Sequence, residues 1–451
     1  MSTSDHLDPR LLAEELSRSD VVGVTIAWVD NNGIPRSRTV PVAGLADAAE
    51  RGVGVTTTLA VFDSNDDITF EHAGLATASG DVRLLPVLGR TRRLAGQPAF
   101  AWVPGRQLTA DGATWPYDQR TVLETQVERA AEVGLELKLG YELEFIVARD
   151  ADELVPAFRA PAYSPHALLE IDEFAADLLR DLDANGLRVG QLHAEYGVGQ
   201  VELSLGATDP VEAADDQVLA RQTIRAAARG HGLRVSFAPL IDPDTIGNGC
   251  HIHASVWRGA ENLLAGNTAP GPEGAAFMAG ILRDLPAIVA ITAPSVPSLG
   301  RLRPGFFSSA YAFWGIENRE AALRYVPSSS LLGAGHANVE LKPSDVSGNP
   351  YLAIAVLIAS GVAGIEENLS LPDPIQENPG GWTDEERDRA RVIRLPVDPS
   401  ERHDALVANP RIRETLGEPL LGAFLAVRSA DAAWARDRSP HEVIQAHLWR
   451  Y

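Results

Sequence analysis

Thiols, methionines and lysines are nearly missing from this chain of 451 residues: it has one cysteine, two methionines and, among 39 cationic side chains, only two lysines, Lys138 and Lys342. The single thiol, Cys250, excludes any internal disulfide and fits an intracellular, cytoplasmic setting. Positive charge is also short. The 39 Lys and Arg stand against 61 Asp and Glu, a formal net charge of −22, which excludes non-specific nucleic-acid binding. No apolar run reads as long enough to cross a membrane, and the longest, YLAIAVLIASGVAGI, reads as a buried helix. The start MSTSDHLDPR has no apolar signal region, so export is not expected. Internal repeats and low-complexity tracts are absent too. What remains is ordinary globular material, 45% hydrophobic and 22% charged, long enough for two or three domains around a large core.

The first hundred residues read as a small β-rich unit. VVGVTIAWVDNNGIPRSRTVP is strand, turn, strand, with Asn32-Gly33 supplying the φ > 0 residues of a tight hairpin. The Pro/Gly/polar stretch VPGRQLTADGATWPYDQ marks a junction, which divides the chain into domains 1–110 and 111–451. Beyond it, helical patterns alternate with strands. Helices are expected over TVLETQVERAAEVGL, LEIDEFAADLLRDLDANGL, DPVEAADDQVLARQTIRAAARGHG, EGAAFMAGILRDLPAIVAITAP and YLAIAVLIASGVAGIEENL. SVPSLGRLRPGFFSSAYAFWG reads as an irregular substrate loop, and Pro372 to Pro410 as polar and irregular. One final helix is expected over EPLLGAFLAVRSADAAWARD.

Five short stretches carry the chemistry. They are Glu142-x-Glu144 in LGYELEFIV, Glu195 and Glu202 in HAEYGVGQVELS, His251-x-His253-x-Ser255 in GNGCHIHASVW, Arg319 and Arg324 in ENREAALRY, and Glu340-x-Lys342 in NVELKPSD. Side chains at i and i+2 of a strand share a face, so three of these pairs each present two polar groups to one side. Four or five carboxylates and a His gathered on one sheet face cannot all stay ionised without counter-charge. Divalent metal is the economical source, and two nearby arginines suit a phosphate in the same site.

At these motifs, and from about Tyr117 to the terminal LWRY, the chain resembles the class I type of the glutamine synthetase family. The resemblance implies a small β-grasp-like N-terminal domain and a larger α+β catalytic domain with a curved antiparallel sheet. It implies phosphorylation of the glutamate γ-carboxylate by ATP, displacement of phosphate by an amine, and two or three Mg²⁺ or Mn²⁺ ions per site. By the same resemblance Glu144, Glu195 and Glu202 hold the first metal, and Glu142, His251 and Glu340 the second. Arg301 in SLGRLRPGF holds the glutamate α-carboxylate, and Gly247 lines the glutamate site. Arg319 and Arg324 steady the transferred phosphoryl group. His253, Ser255, Arg324 and Lys342 belong to the nucleotide site. A dodecamer of two hexameric rings is implied, the N-terminal unit of one subunit completing the site of the next. Cys250 reads as a small buried hydrophobe.

The departures are informative. Phe307 stands where ammonia-using members carry a flap Glu. The N-terminal Asp that helps deprotonate ammonium aligns with Thr56 or with Asp63, depending on the anchor. Ile246 replaces the Asn opening the Asn-Gly-x-Gly-x-His motif. Lys342 and Asn338 stand where Arg is usual, and Ser370 lies near the regulatory adenylylation Tyr, so that control is not expected. Binding NH₄⁺ needs carboxylates to offset its desolvation, whereas Phe packs on methylenes or faces an ammonium. These features resemble the γ-glutamyl amine ligase branch. An ethanolamine-sized amine is favoured over a polyamine, because the flap run RLRPGFFSSAYAFWG has no acid before Glu317. Ordinary glutamine synthesis and a non-catalytic structural relative are the alternatives. Retention of all six metal-ligand positions argues against the latter.

Overall fold

Alternation of apolar and polar residues along Glu136–Arg149 sets the architecture: Leu137, Leu139, Tyr141, Leu143 and Phe145 are buried, while the residues between them face the other way. The computed structural model describes residues 7–151 and 153–451. The first six residues, part of the stretch on which the expectation against export rested, lie outside those described.

The N-terminal sheet has strands β1 (Gly23–Val29), β2 (Pro35–Pro41), β3 (Val53–Thr56), β4 (Asp81–Pro86), β5 (Arg92–Arg93) and β6 (Phe100–Leu108). Its order is β2-β1-β6-β4-β3, with β5 on β6. The central pair β1–β6 is parallel, the mark of a β-grasp-like sheet. The β1–β2 hairpin forms as expected, but only Gly33 has positive φ, 69°. Asn32 serves differently: its Nδ2 donates to the Phe62 carbonyl at 2.8 Å. The Asp30 carboxylate takes the amides of Asn32 and Ile34 at 2.8 and 3.0 Å, fixing the turn. The expected junction also starts too early, because Val103–Leu108 still belong to β6.

The second sheet is built from β7 (Glu136–Arg149), β8 (Val189–Ala194), β9 (Gln200–Leu205), β10 (Leu233–Ser236), β11 (Cys250–Arg258), β12 (Glu261–Asn262), β14 (Trp314–Ile316), β15 (Leu323–Val326) and β16 (Asn338–Leu341); β13 (Tyr311–Ala312) pairs separately with β17 (Ile393–Arg394). The order β14-β15-β16-β11-β7-β9-β8 is antiparallel except for β14–β15. This is the α+β fold with a curved sheet that the motifs implied. One face joins a large apolar core with the helices Gln119–Glu132, Pro210–Gly230, Pro272–Thr292 and Pro350–Glu366.

Two expectations fail here. The helix Pro272–Thr292 does have the length and apolarity to cross a membrane, but 78% of its apolar window is buried inside the protein. Its composition reflects a core position against Pro350–Glu366. Gly280 and Gly364 let the two backbones touch, since a Cβ on Gly280 would come within 2.1 Å of the Ser360 carbonyl. The stretch from Pro372 to Pro410 is not irregular either: it holds helices Asp384–Ala390 and Pro399–Ala408. A capping box between Thr383 and Glu386 starts the first, and Asp398 caps the second.

Buried charges tie the N-terminal sheet to the larger part. Asp215, fully buried, takes Arg90 Nε at 3.2 Å, Arg120 Nη2 at 3.1 Å and the Tyr351 hydroxyl at 2.7 Å. Cys250 is 1% exposed and accepts a weak bond from Gln217 Nε2 at 3.6 Å. Burial pushes its pKa up to about 12.

Candidate active site

The strand register assembles the polar residues into one row. Arg324 on β15 stands opposite Glu340 on β16, and Glu340 opposite His253 on β11. His251 pairs with Glu142 on β7, Glu144 with Glu202 on β9, and Glu202 with His193 on β8. Because each pair shares a face, six strands gather these groups in one row, and all of them except His253 line a cleft of about 730 Å³.

At one end, Glu340 receives Arg324 Nη1 at 3.0 Å and Lys342 Nζ at 3.2 Å. His251 Nδ1 lies 3.3 Å from Glu340 and 3.5 Å from Glu142, and its Nε2 lies 3.8 Å from Glu144. His253 Nε2 is 3.2 Å from Glu142, and its Nδ1 is 2.9 Å from Asn338 Oδ1. Glu144 Oε2 takes the Gly249 amide at 2.8 Å and Gln200 Nε2 at 3.2 Å. At the other end His193 Nε2 lies 3.5 Å from Glu195 and 3.7 Å from Glu202.

Crowding perturbs these groups in the manner of a cation site. Burial, then repulsion from Glu142, Glu144, Glu195 and Glu340, pushes Glu202 up to about 9. Burial works against the charged form of His253, but Glu142 and Glu340 outweigh it and raise the imidazole to about 9. Burial likewise acts to raise Glu142, yet His251 and His253 hold it well below the usual carboxylate range. Two sets, Glu142 with His253 and Glu340, and His193 with Glu195 and Glu202, have donor atoms within 4.8 Å of one another. Buried ring nitrogens His251 Nδ1, His253 Nε2 and His193 Nδ1 have no hydrogen-bond partner. Oxygen and imidazole donors at this density suit divalent cations.

All six expected ligand positions therefore meet. Arg301, Gly247, Phe307, Arg319, Arg324 and Lys342 line the same cleft. Arg301 is 3% exposed, bonded through Nε to Asn248 O at 3.1 Å and through Nη2 to Ser344 O at 2.7 Å, while Nη1 is buried without a partner. Gly247 packs so closely that a Cβ would lie 2.1 Å from the Pro239 carbonyl. Ser255 is held to Trp257 Nε1 at 2.9 Å and is not in the cleft wall. Asp63 is also outside the cleft of its own chain; its Oδ1 takes the amides of Asn65 and Asp67 at 2.8 and 2.9 Å. Thr56 caps the short helix Thr57–Val61.

Among the cleft residues that escaped the sequence reading, two bear on the acids. His193 carries the same i, i+2 signal with Glu195 as the other motifs do. Tyr163, at φ 58°, donates to Glu195 Oε2 at 2.9 Å and stacks on His193, with no periodic signal to mark it. Burial and Glu195 push its hydroxyl up to about 12. Tyr196, Phe306 and Phe307 line the same cleft.

Comparisons with known proteins agree with this geometry. Residues 116–445 match the model of the glutamine synthetase catalytic domain. The chain is 43% identical to γ-glutamylpolyamine synthetase GlnA3 of Streptomyces coelicolor, over 98% of this chain and 96% of that one. It is 32% identical to the glutamine synthetase of Thermus thermophilus, over 71% and 73%. A crystal structure described as a novel glutamine synthase homologue superposes with a TM-score of 0.85 at 30% identity, covering 96% of this chain and 99% of that one.

Proposed function

The chain belongs to the glutamine synthetase family, and on that footing we propose that it joins the γ-carboxylate of glutamate to a di- or polyamine rather than to ammonium. It is a glutamate–amine ligase that forms a C–N bond, in a family that uses ATP and divalent metal. The observation that carries the proposal is the set of rings in the cleft: Phe306, Phe307, Tyr163 and Tyr196 line it together with the carboxylates. Methylenes bury against such rings, and an ammonium gains from their faces.

The flap alone pointed to an ethanolamine-sized amine, for want of acids. A second loop changes that balance. Arg303 of the flap donates to the carbonyls of Pro243 at 2.8 Å and Thr245 at 2.7 Å. Asp242 and Asp244 are thereby held beside the flap, just upstream of the cleft residue Ile246. Neither lines the cleft in the free chain, but two carboxylates beside the flap would supply counter-charge for a distal ammonium. The 43% identical relative, named for polyamines, supports the same reading.

In this reading Glu144, Glu195 and Glu202 hold one divalent cation and Glu142, His251 and Glu340 the other. His193 and His253 lie close enough to share in them. Bound cations would neutralise phosphate charge and the repulsion among the acids. Arg301, with its free Nη1, takes the glutamate α-carboxylate, and Gly247 lines the glutamate site. Arg319 and Arg324 stabilise the transferred phosphoryl group, and Lys342 with His253 faces the nucleotide. The amine then attacks γ-glutamyl phosphate, its nitrogen forming the amide bond as phosphate leaves. A base accepts its proton; the N-terminal unit of a neighbouring copy in a ring assembly would supply it, domain 1–110 of one chain completing domain 111–451 of the next, and Asp63, 5% exposed in its own chain, would have to become accessible there to serve.

The test is glutamate- and ATP-dependent phosphate release with putrescine, spermidine, ethanolamine and ammonium. Preference for a di- or polyamine is expected. An ethanolamine optimum would restore the smaller amine, and an ammonium optimum would leave ordinary glutamine synthesis.

A further inference from the structure

Phe307 reaches the cleft from an uncomfortable backbone. Its φ is 52° and that of Ser309 is 67°, a left-handed conformation that costs an L-residue energy unless its surroundings impose it. The surroundings do impose it. The Phe307 amide donates to a carboxylate oxygen of Glu320 at 3.2 Å. Ser309 Oγ donates to the Ala321 carbonyl at 3.0 Å, and Ser308 Oγ to the Arg301 carbonyl at 2.7 Å. Glu320 is itself anchored, its amide donating to Asn318 Oδ1 at 3.0 Å while Asn318 Nδ2 donates to the Ile375 carbonyl at 2.8 Å.

Glu320 is only 7% exposed and is not part of the cleft wall. A carboxylate buried like this is costly unless its charge is used. Burial raises its pKa, and the flap amides of Phe307 and Gly305, with Lys342 at a distance, oppose that without cancelling it. The acid therefore spends its acceptors on flap backbone. It is also the neighbour in sequence of Arg319, which does line the cleft.

We propose that Glu320 is the latch of the flap: a positioning residue whose carboxylate holds the Gly305–Phe307 backbone, keeps the Phe307 ring against the amine, and ties the amine side of the cleft to the loop carrying Arg319. The effect on amine use rests on the amine-ligase reading given above; the latch itself does not.

Two measurements separate them. The first is amide hydrogen exchange over the flap in wild type, Glu320→Gln and Glu320→Ala. Loss of a hydrogen bond to a charged group predicts exchange at Phe307 faster by about ten-fold or more in Glu320→Ala. Glu320→Gln, which keeps the shape and one acceptor, lies between and guards against a mere folding defect. Unchanged flap exchange in both variants overturns the latch, whatever the substrate proves to be.

The second is kinetic, with the best amine of the panel. Glu320→Ala raises its KM by about ten-fold while the KM values for glutamate and ATP stay within about two-fold. In a Phe307→Ala background the same substitution adds less than about two-fold, because the ring through which it acts is gone. Full additivity in that double-mutant cycle overturns the positioning role. Ammonium as the best substrate would remove the amine-ligase reading while leaving the exchange result to judge the latch.

Discussion

Arg324 and Glu340 face each other across the paired strands β15 and β16, with Nη1 3.0 Å from Oε2. A guanidinium suited to phosphoryl charge is thus held by a carboxylate suited to a cation. In the proposed reading, a cation held by Glu340 would leave the guanidinium available to the phosphate, and metal binding and placement of Arg324 would be two sides of one contact.

Arg324→Ala is therefore expected to lower turnover by roughly 10²–10³-fold, the size of losing one preorganised donor to developing charge. Arg324→Lys should fall between, since an ammonium keeps the charge and loses the planar fork. Phosphate release at saturating glutamate and amine measures both. Near-wild-type turnover in Arg324→Ala would remove it from the phosphoryl site.

Metal should act on stability as well as on activity. Burial together with the neighbouring acids pushes Glu202 up to about 9, and those acids would repel one another less around a bound cation. Free Mg²⁺ or Mn²⁺ at a hundred times its Kd should add about 2.7 kcal/mol per site. A thermal melt with and without chelator reads this as a higher midpoint with metal. Glu195→Ala should lose turnover and the metal-induced shift at its site together, with the oligomer intact. Full activity in excess chelator would sink the metal assignment.

Phe307→Glu should weaken use of an alkyl amine and raise use of ammonium relative to it. Each methylene buried on the ring is worth roughly 0.8 kcal/mol, so the preference per carbon is several-fold. The ratio of kcat/KM for amine and ammonium in both proteins is the measurement. An unchanged ratio would show that the ring does not select the amine.

The neighbouring loop gives a sharper discrimination. Asp242→Asn with Asp244→Asn should raise KM for spermidine several-fold and leave that for ethanolamine nearly unchanged, the size expected of partly exposed charge pairs. Equal effects on both amines would place these acids outside the path of a distal ammonium.

Most of the metal row was legible in the sequence, because the period of a strand puts Glu142 and Glu144, or His251 and His253, on one face whatever the rest of the chain does. His193 was legible by the same rule and was overlooked, since HAE reads as one acid next to a strand end. Tyr163 was not legible: it reaches Glu195 from an irregular loop, where spacing carries no direction. The helices Asp384–Ala390 and Pro399–Ala408 announce themselves only by caps, because both are short and largely exposed and so lack an apolar face. The Asp215 network was hidden for another reason. Its partners Arg90, Arg120 and Tyr351 are far apart in sequence and meet only when the N-terminal sheet docks.

Asp118 makes stability depend on pH in a direction opposite to most paired acids. It caps the helix Gln119–Glu132 through Thr121 and is 3% exposed. Burial, partly offset by the bonds from Thr121, raises its pKa from 3.8 to about 6. Between those values the folded state binds more protons than the unfolded one. Stability present below pH 3.8 is therefore lost as pH rises through about 6. The shift corresponds to roughly 3 kcal/mol at most. Asp118→Asn keeps a good cap and removes the titration, so it should melt higher than wild type at pH 8 and no higher at pH 4. The same difference at both values would assign the effect to packing.

The one thiol of the chain has a practical consequence. Cys250 is sealed inside the core with its pKa pushed up to about 12, so thiol reagents that need a thiolate find nothing to react with in the folded protein. A cysteine substituted at an open position, such as Leu331, which is 92% exposed, becomes the sole reactive handle without the native cysteine being removed. With a second cysteine placed in the flap, a pair of spin labels or fluorophores can be attached, and the distance between the two positions followed while substrates arrive.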